Sequence, residues 1–595
     1  MAIIKVGDKA TAPSVKPILN LDFANSKVLD PRIEFTRSGT ATYWDGKSLA
    51  KAEENLAYYT NDFSSWWSLA RASLDRNTIV APDGTTTASR LTQSGTTTYG
   101  PVYRGYGTWS EPSNTQFALS VFAKYGTSQY LKLLLSESGV GAVFDMSNGT
   151  VATTSGGTAS IDVVGGGWYR LSFISAGASS QSGFYVGNAS SATTAISNAN
   201  DGEYTDIWGA QIERRDVVTP YVPRVGTITE QYQPVMQTAL ANEARFDHNS
   251  ATGESKGLLI EESRTNLLSS ANNLGNFALT NLRENSAIGL DGQYSVCHYT
   301  DTADGAFGQQ QIQAQYTTNI GSTYTFSIYA KADRSHAILI RLISNDYQTI
   351  FGSLTCNLNP DEEQVEREDV GNGWFRFRVT GTNTSTATTF RIRINITNGN
   401  GSNYNASGIH SVYMWGPQLE AGAYATSYIP TTGSQVTRAS ELARIDGDLF
   451  DSIYNPDQFT LYGEGLLTDV TNGYKFLATI GDGTTSHNSL NLAVGPFFAY
   501  IENKPTVDFT VSLGAPVVNE YFKMAGAVQR NNIAGALNGY VNVDNSGMLY
   551  KSRTNAIYIG RRASTDANFF NGHIQKLSLY DKRLPDAEIQ ALTEE

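Results

Sequence analysis

Two glutamates, Glu213 and Glu420, occupy matched places in the phrases "WGAQIERRDVVTPYVP", from Trp208, and "WGPQLEAGAYATSYIP", from Trp415. Glycoside hydrolysis uses two carboxylates that flank the scissile bond. Each phrase supplies only one, beside Gln211 or Gln418, so the pattern reads instead as a buried carboxylate held by hydrogen bonds, because an unpaired buried charge is too costly to keep. Each Glu is expected to brace the loop that leaves its strand. The acidic run "NPDEEQVERED" at 359–369 reads as a solvated hairpin face. His248, His298, His336, His410, His487 and His573 are scattered singly, without H-E-x-x-H or Cys/His pairing, so zinc is not expected. The loop "GDGTTS" at 481–486 is a candidate for a structural calcium, and no other cofactor is called for. There is no phosphate-binding Gly loop, and "GNGNGSN" has no Lys-Ser/Thr after it. No nucleophile elbow occurs either. No catalytic residue emerges, and the expectation is a non-enzymatic protein.

Sugar recognition needs exposed aromatic faces, and one stretch offers them. "YGPVYRGYGTW" carries Tyr99, Tyr103, Tyr106 and Trp109, whereas the matching stretch further along, "FGQQQIQAQYT", keeps few aromatics. An aromatic loop that the shared fold does not demand is a candidate contact surface for a glycan or another subunit. Trp168 and Trp374, like Trp208 and Trp415, are matched within matched strands and read as core.

What must position these residues is a repeat. "ENLAYYTNDFSSWW" from Glu54 matches "TNLLSSANNLGNF" from Thr265, "FALSVFAKYG" from Phe117 matches "YTFSIYAKAD" from Tyr324, and "GGGWYRLSF" from Gly165 matches "GNGWFRFRV" from Gly371. These are two copies of one unit of about 170 residues, and such repetition decides the fold before any local signal does. Period-two runs of apolar residues bounded by Gly, Asn and Ser read as antiparallel strands of a sandwich. The expected organisation is an all-β chain read in linear order: a docking segment at 1–53, a jelly-roll-like sandwich at 54–225, a connecting segment at 226–264, a second sandwich at 265–436, and a third, different sandwich at 437–595. Pro585 should open a terminal helix buried through Leu584, Ile589 and Leu592.

Composition narrows the function classes. A net charge of −13 argues against nucleic acid or an anionic membrane as a main partner. No run of 18 apolar residues occurs, and the opening residues carry no apolar stretch with a small-residue cleavage site. Cys297 and Cys356 are too few for a disulfide framework and read as two reduced, buried thiols.

"LDFANSKVLDPRIEFTRSGTATYWD" and "NEARFDHNSATGESKGLLIEESRTNLL" resemble the leader of structural proteins from tailed bacteriophages. "WGPQLEAGAYATSYIPTTGSQVTRASE" resembles the closing strand of the carbohydrate-binding-module-like sandwiches that follow such leaders, and "GHIQKLSLYDKRLPDAEIQAL" resembles a laminin-G or concanavalin-like domain. Laminarinase-like enzymes share that last sandwich and carry an E-x-D-x-(x)-E run, which residues 440–595 lack. The resemblance implies a virion surface appendage of the tail-fibre or spike kind, assembled in the bacterial cytoplasm. It also implies partners: further copies of itself, most simply as a trimer, other virion proteins, and host-surface glycan. Two alternatives are a capsid decoration protein that clamps capsomers and a polysaccharide depolymerase with its site between subunits. One departure stands out: in related proteins the two leader phrases adjoin, whereas here a whole sandwich separates them.

Overall fold

The structure is a computed structural model that describes residues 15–594 apart from short stretches, the longest at 105–115, 301–311, 398–409 and 545–553. Among the described residues strands hold 55% and helices 4%, in several stacked sheets, so the chain is an all-β, multi-sandwich protein.

In the first repeat the strand Ala118–Tyr125 lies between Trp168–Ser175 and Tyr204–Glu213. Its alternation sorts two faces, as a half-buried strand must. Leu119 and Val121 join Leu171, Phe173 and Ile207 in the core, while Phe122 packs on Trp168 and Trp208 behind the sheet. The second repeat places Thr323–Ala332 between Trp374–Thr382 and Ser411–Ala421 in the same way. The repeated Trp-Gly pair marks a β-bulge: the register slips between Trp208 and Gln211, and again at Ser327/Tyr329 opposite Trp415. Gly209 and Gly416 take φ of +64° and +59°, and a Cβ on Gly209 would sit 2.8 Å from the Phe122 ring. Only glycine suits both the dihedral and the space.

The third sandwich departs from the linear reading. Its eight-stranded sheet contains Gln458–Leu467, Tyr521–Gln529 and Gly572–Tyr580, but also Leu19–Asp22 and Ser255–Ile260, far earlier in the chain. Leu19 faces Leu579 and Leu258 faces Ile574 in register. The opposing seven-stranded sheet takes Glu34–Thr36 as its edge, with Phe35 opposite Ala443. Leu19, Leu21, Phe35, Leu258 and Ile260 are buried in one core with Leu461, Ile557 and Leu577. The docking segment expected at 1–53 and the connecting segment expected at 226–264 therefore supply strands to the third sandwich. The alternating apolar residues of "ILNLDF" and the apolar run of "KGLLI" need partner faces, and this sandwich provides them.

Both repeats consequently emerge from the third sandwich as insertions. The first hangs from a two-stranded ribbon of Ala41–Asn55 and Thr229–Ala239. The second leaves and returns through Arg264–Asn266 and Val436–Arg438, which pair with each other. Where these threads meet lies a buried ionic cluster. Arg245 Nε donates to Glu441 Oε1 at 2.6 Å, Arg245 Nη2 to Glu261 Oε2 at 2.7 Å, and Arg37 Nη1 to Glu441 Oε1 at 3.0 Å. Burial works against the charge on Glu261, but Arg438 and Arg245 outweigh it and hold that carboxyl well below its usual range.

The terminal helix spans Asp586–Thr593 after Pro585, with Leu584 and Ile589 buried and Leu592 packed beside them. Cys297 and Cys356 are buried and not joined in a disulfide, and burial pushes the Cys356 thiol well above its usual value.

Candidate functional site

The repeated glutamates hold loops, as their duplication predicts. Glu213 accepts from Gln211 Nε2 at 2.9 Å and from the Thr219 amide at 3.0 Å, and Gln211 Oε1 takes the Val222 amide at 2.7 Å. Glu420 accepts from Gln418 Nε2 at 2.8 Å and the Thr426 amide at 3.0 Å, while Gln418 Oε1 takes the Ile429 amide at 2.6 Å. Arg170 and Arg376 each bridge a core-strand serine, Ser120 or Ser327, to the carbonyl of that threonine. Burial raises the Glu213 carboxyl to about 7 and raises Glu420 as well, outweighing their hydrogen bonds and the arginines nearby, because no cation among the described residues forms a salt bridge with either. Both are committed to structure.

Of the aromatic set, Tyr103 lies on the strand Gly100–Arg104, half-buried, with its ring stacked on Tyr185 at 5.4 Å and 4°. That contact holds the ring inside the unit. Tyr99, Tyr106 and Trp109 lie outside the described residues, as do residues 484–486 of the loop at 481–486. No group of three or more His, Cys, Asp or Glu among the described residues is placed to hold a metal ion.

A cleft of about 480 Å³ opens instead where the second repeat, the ribbon and the third sandwich meet. One wall is Tyr329, Glu368, Arg376 and Arg378 of the second repeat, and the other is Asp247, Lys256, Tyr521 and His573. Trp44 and Met236 of the ribbon close it. Its charges are fixed in pairs. Asp247 Oδ2 meets His573 Nε2 at 2.7 Å, while Oδ1 accepts the Trp44 amide at 2.7 Å; burial opposes the charge, but His573 keeps the Asp247 carboxyl below its usual range. His573 Nδ1 is buried with no hydrogen-bond partner among the described residues. Glu368 pairs with Arg378 and lies 3.6 Å from Lys256; against the effect of burial, these cations hold its carboxyl well below the usual range. Tyr521 is exposed at the rim. Fixed donors and acceptors beside tyrosine rings suit a hydroxyl-rich ligand better than an apolar one.

The chain matches no family model and no curated protein. Among solved structures it is similar to the CBM40 of the Ruminococcus gnavus IT-sialidase bound to α2,3-sialyllactose, with 19% identity over 24% of this chain and 86% of that one, at a TM-score of 0.23. It is also similar to mouse laminin α1 domains LG4-5, with 10% identity over 48% and 92% and a TM-score of 0.18. A third is the CBM22-1–CBM22-2 tandem of Paenibacillus barcinonensis Xyn10C, with 11% identity over 63% and 99% and a TM-score of 0.18.

The cleft residues escaped the sequence reading because segments far apart in the chain contribute them. Glu368 was visible only as part of an acidic run expected to be solvated, yet it faces Arg378 and Lys256. A period-two clue existed, since Glu368 and Val370 point the same way toward the cleft.

Proposed function

We propose that this chain is a non-enzymatic, glycan-binding surface protein of a tailed-phage particle, with the interdomain cleft as a binding site. The cleft supports this most directly: it is polar, ringed by tyrosines and stocked with paired side chains that can exchange hydrogen bonds with sugar hydroxyls. Two further observations fit. Glu213 and Glu420, the duplicated carboxylates, are consumed by loop bracing, and the leader phrases resemble those of virion proteins. In this reading the chain assembles in the bacterial cytoplasm, sits on the particle as a trimer, and gains strength from repeated weak sites.

The test is titration of the purified chain with capsular polysaccharide and lipopolysaccharide from a host strain, followed by sizing of the sugar. Binding without shortening is expected, and Arg378→Ala with Tyr521→Ala should weaken it about tenfold or more, because charge-assisted hydrogen bonds carry that much. Release of oligosaccharide would establish the depolymerase reading instead. Immunogold labelling of particles separates the appendage from the capsid-decoration role: tail label is expected, and label spread over the head would overturn it.

A further inference from the structure

The two repeats share a frame but differ on the outer face of one sheet. In the first repeat, Leu134, Tyr185 and Tyr103 lie side by side in register across three strands. In the second, the corresponding strands place Arg341 opposite Arg393. Arg391 sits two residues before Arg393 and so on the same face. The strand text "FRIRIN" shows the alternation plainly: Ile392 and Ile394 are fully buried in the core, and the arginines face the other way, half-buried.

The first repeat closes this face with its own atoms. Leu134 and Tyr185 pack with Ala199, and Lys132 Nζ donates to the Ala195 carbonyl at 2.5 Å. The second repeat gathers cations there. The guanidinium carbons of Arg391 and Arg393 lie 5.3 and 5.2 Å from the centroid of the Tyr347 ring. Tyr347 is 44% exposed and adopts φ of 61°, an uncommon conformation for a bulky residue. Arg391 Nε donates to Asn345 Oδ1 at 2.6 Å, Arg393 Nε is buried without a hydrogen-bond partner, and neither arginine forms an ion pair with a carboxylate among the described residues. Like charges directly opposite one another on a sheet destabilise it. Burial, together with the charges of Arg341 and Arg391, lowers the affinity of Arg393 for its proton. In a chain of net charge −13, Arg391 and Arg393 thus carry charges that no described carboxylate pairs with.

We propose that Arg341, Arg391 and Arg393, arranged around Tyr347, form an anion-recognition face that takes the carboxylate or phosphate group of an acidic glycan. Planar guanidinium groups match such oxyanions with paired hydrogen bonds, and the Tyr347 ring offers a sugar a stacking surface. This inference rests on the glycan-binding reading and adds the charge of the ligand and a second location.

The experiment titrates the full chain with three probes: an oligogalacturonide, its carboxyl-reduced neutral counterpart, and inorganic phosphate. The same titrations are run on Arg391→Gln/Arg393→Gln and on Tyr347→Ala, each checked by circular dichroism for an unchanged fold. The oligogalacturonide is expected to bind at least tenfold more tightly than its neutral counterpart, to weaken as salt rises, and to lose about tenfold or more in the double variant. Phosphate binding that disappears in the double variant, without oligogalacturonide binding, assigns the same face to phosphorylated sugar. Equal binding of acidic and neutral sugars, or full retention of acidic-sugar binding in the double variant, overturns the anion face while leaving glycan binding intact. If none of the three probes binds although host polysaccharide does, the anion face is again overturned and the interdomain cleft carries the function alone.

Discussion

Set side by side, the two repeats separate what the fold needs from what the surface is free to change. Both keep the bulge at Trp-Gly, the Gln–Glu–Thr loop brace, the arginine that bridges serine to threonine, and an asparagine, Asn55 or Asn266, that caps the closing loop. Trp208 and Trp415 each donate to a hydroxyl, of Thr87 at 3.0 Å and Ser295 at 2.8 Å. The differences lie in attachment. The second repeat packs Trp374 against Trp44, with Trp374 Nε1 donating to Gln233 of the ribbon at 3.1 Å, and it is locked to the third sandwich through the Arg245 cluster. The first repeat keeps Trp168 within its own unit, against Val164 and Trp208. Identity in the frame thus marks structural residues, and divergence marks candidate contact surfaces.

The strongest way to break this comparison is Glu441→Gln. Removing one partner of a buried ion cluster costs about 3–5 kcal/mol, and calorimetry should show the transition of the third sandwich and second repeat falling while that of the first repeat stays. A joint fall would mean that the repeats are not anchored independently. Next in size is pH. The folded Glu213 carboxyl titrates at about 7, above its ordinary 4.5, so its contribution is fully present below pH 4.5 and is lost as pH rises through 7, by about 3 kcal/mol. Glu213→Gln should flatten this dependence in the first repeat only, and Glu420→Gln should do so in the second. Gln211→Ala and Gln418→Ala should each cost about 1–3 kcal/mol by leaving a buried carboxylate short of a donor. Equal losses in thermal melts support the matched brace, and a loss confined to one copy refutes it. The smallest effect is expected for Gln233→Ala, about 1 kcal/mol, seen in the second repeat and absent from the first.

Much of the frame was legible in the sequence. Repetition exposed the two units, alternation exposed their strands, and duplication showed that Glu213 and Glu420 were structural. The make-up of the third sandwich was not legible, because Asn20 pairs with Ser578 and no local signal spans that separation. The cleft was hidden for the same reason: Trp44, Asp247, Glu368 and His573 meet only after distant strands have paired. The arginine face was half legible, since "FRIRIN" shows its alternation but cannot show that Arg341 lies opposite.

The pairing of Leu19–Asp22 with Gly572–Tyr580 also sets an order of events during synthesis. Both repeats are complete, local units and can fold as they leave the ribosome, whereas the leader strand must wait for its partner. At about 5–20 residues per second that delay is roughly half a minute to two minutes. Through that interval the apolar edge around Leu19 and Leu21 is a liability, and a chain stopped short of residue 572 would carry it permanently. Closure of the third sandwich therefore waits until Gly572–Tyr580 has been made.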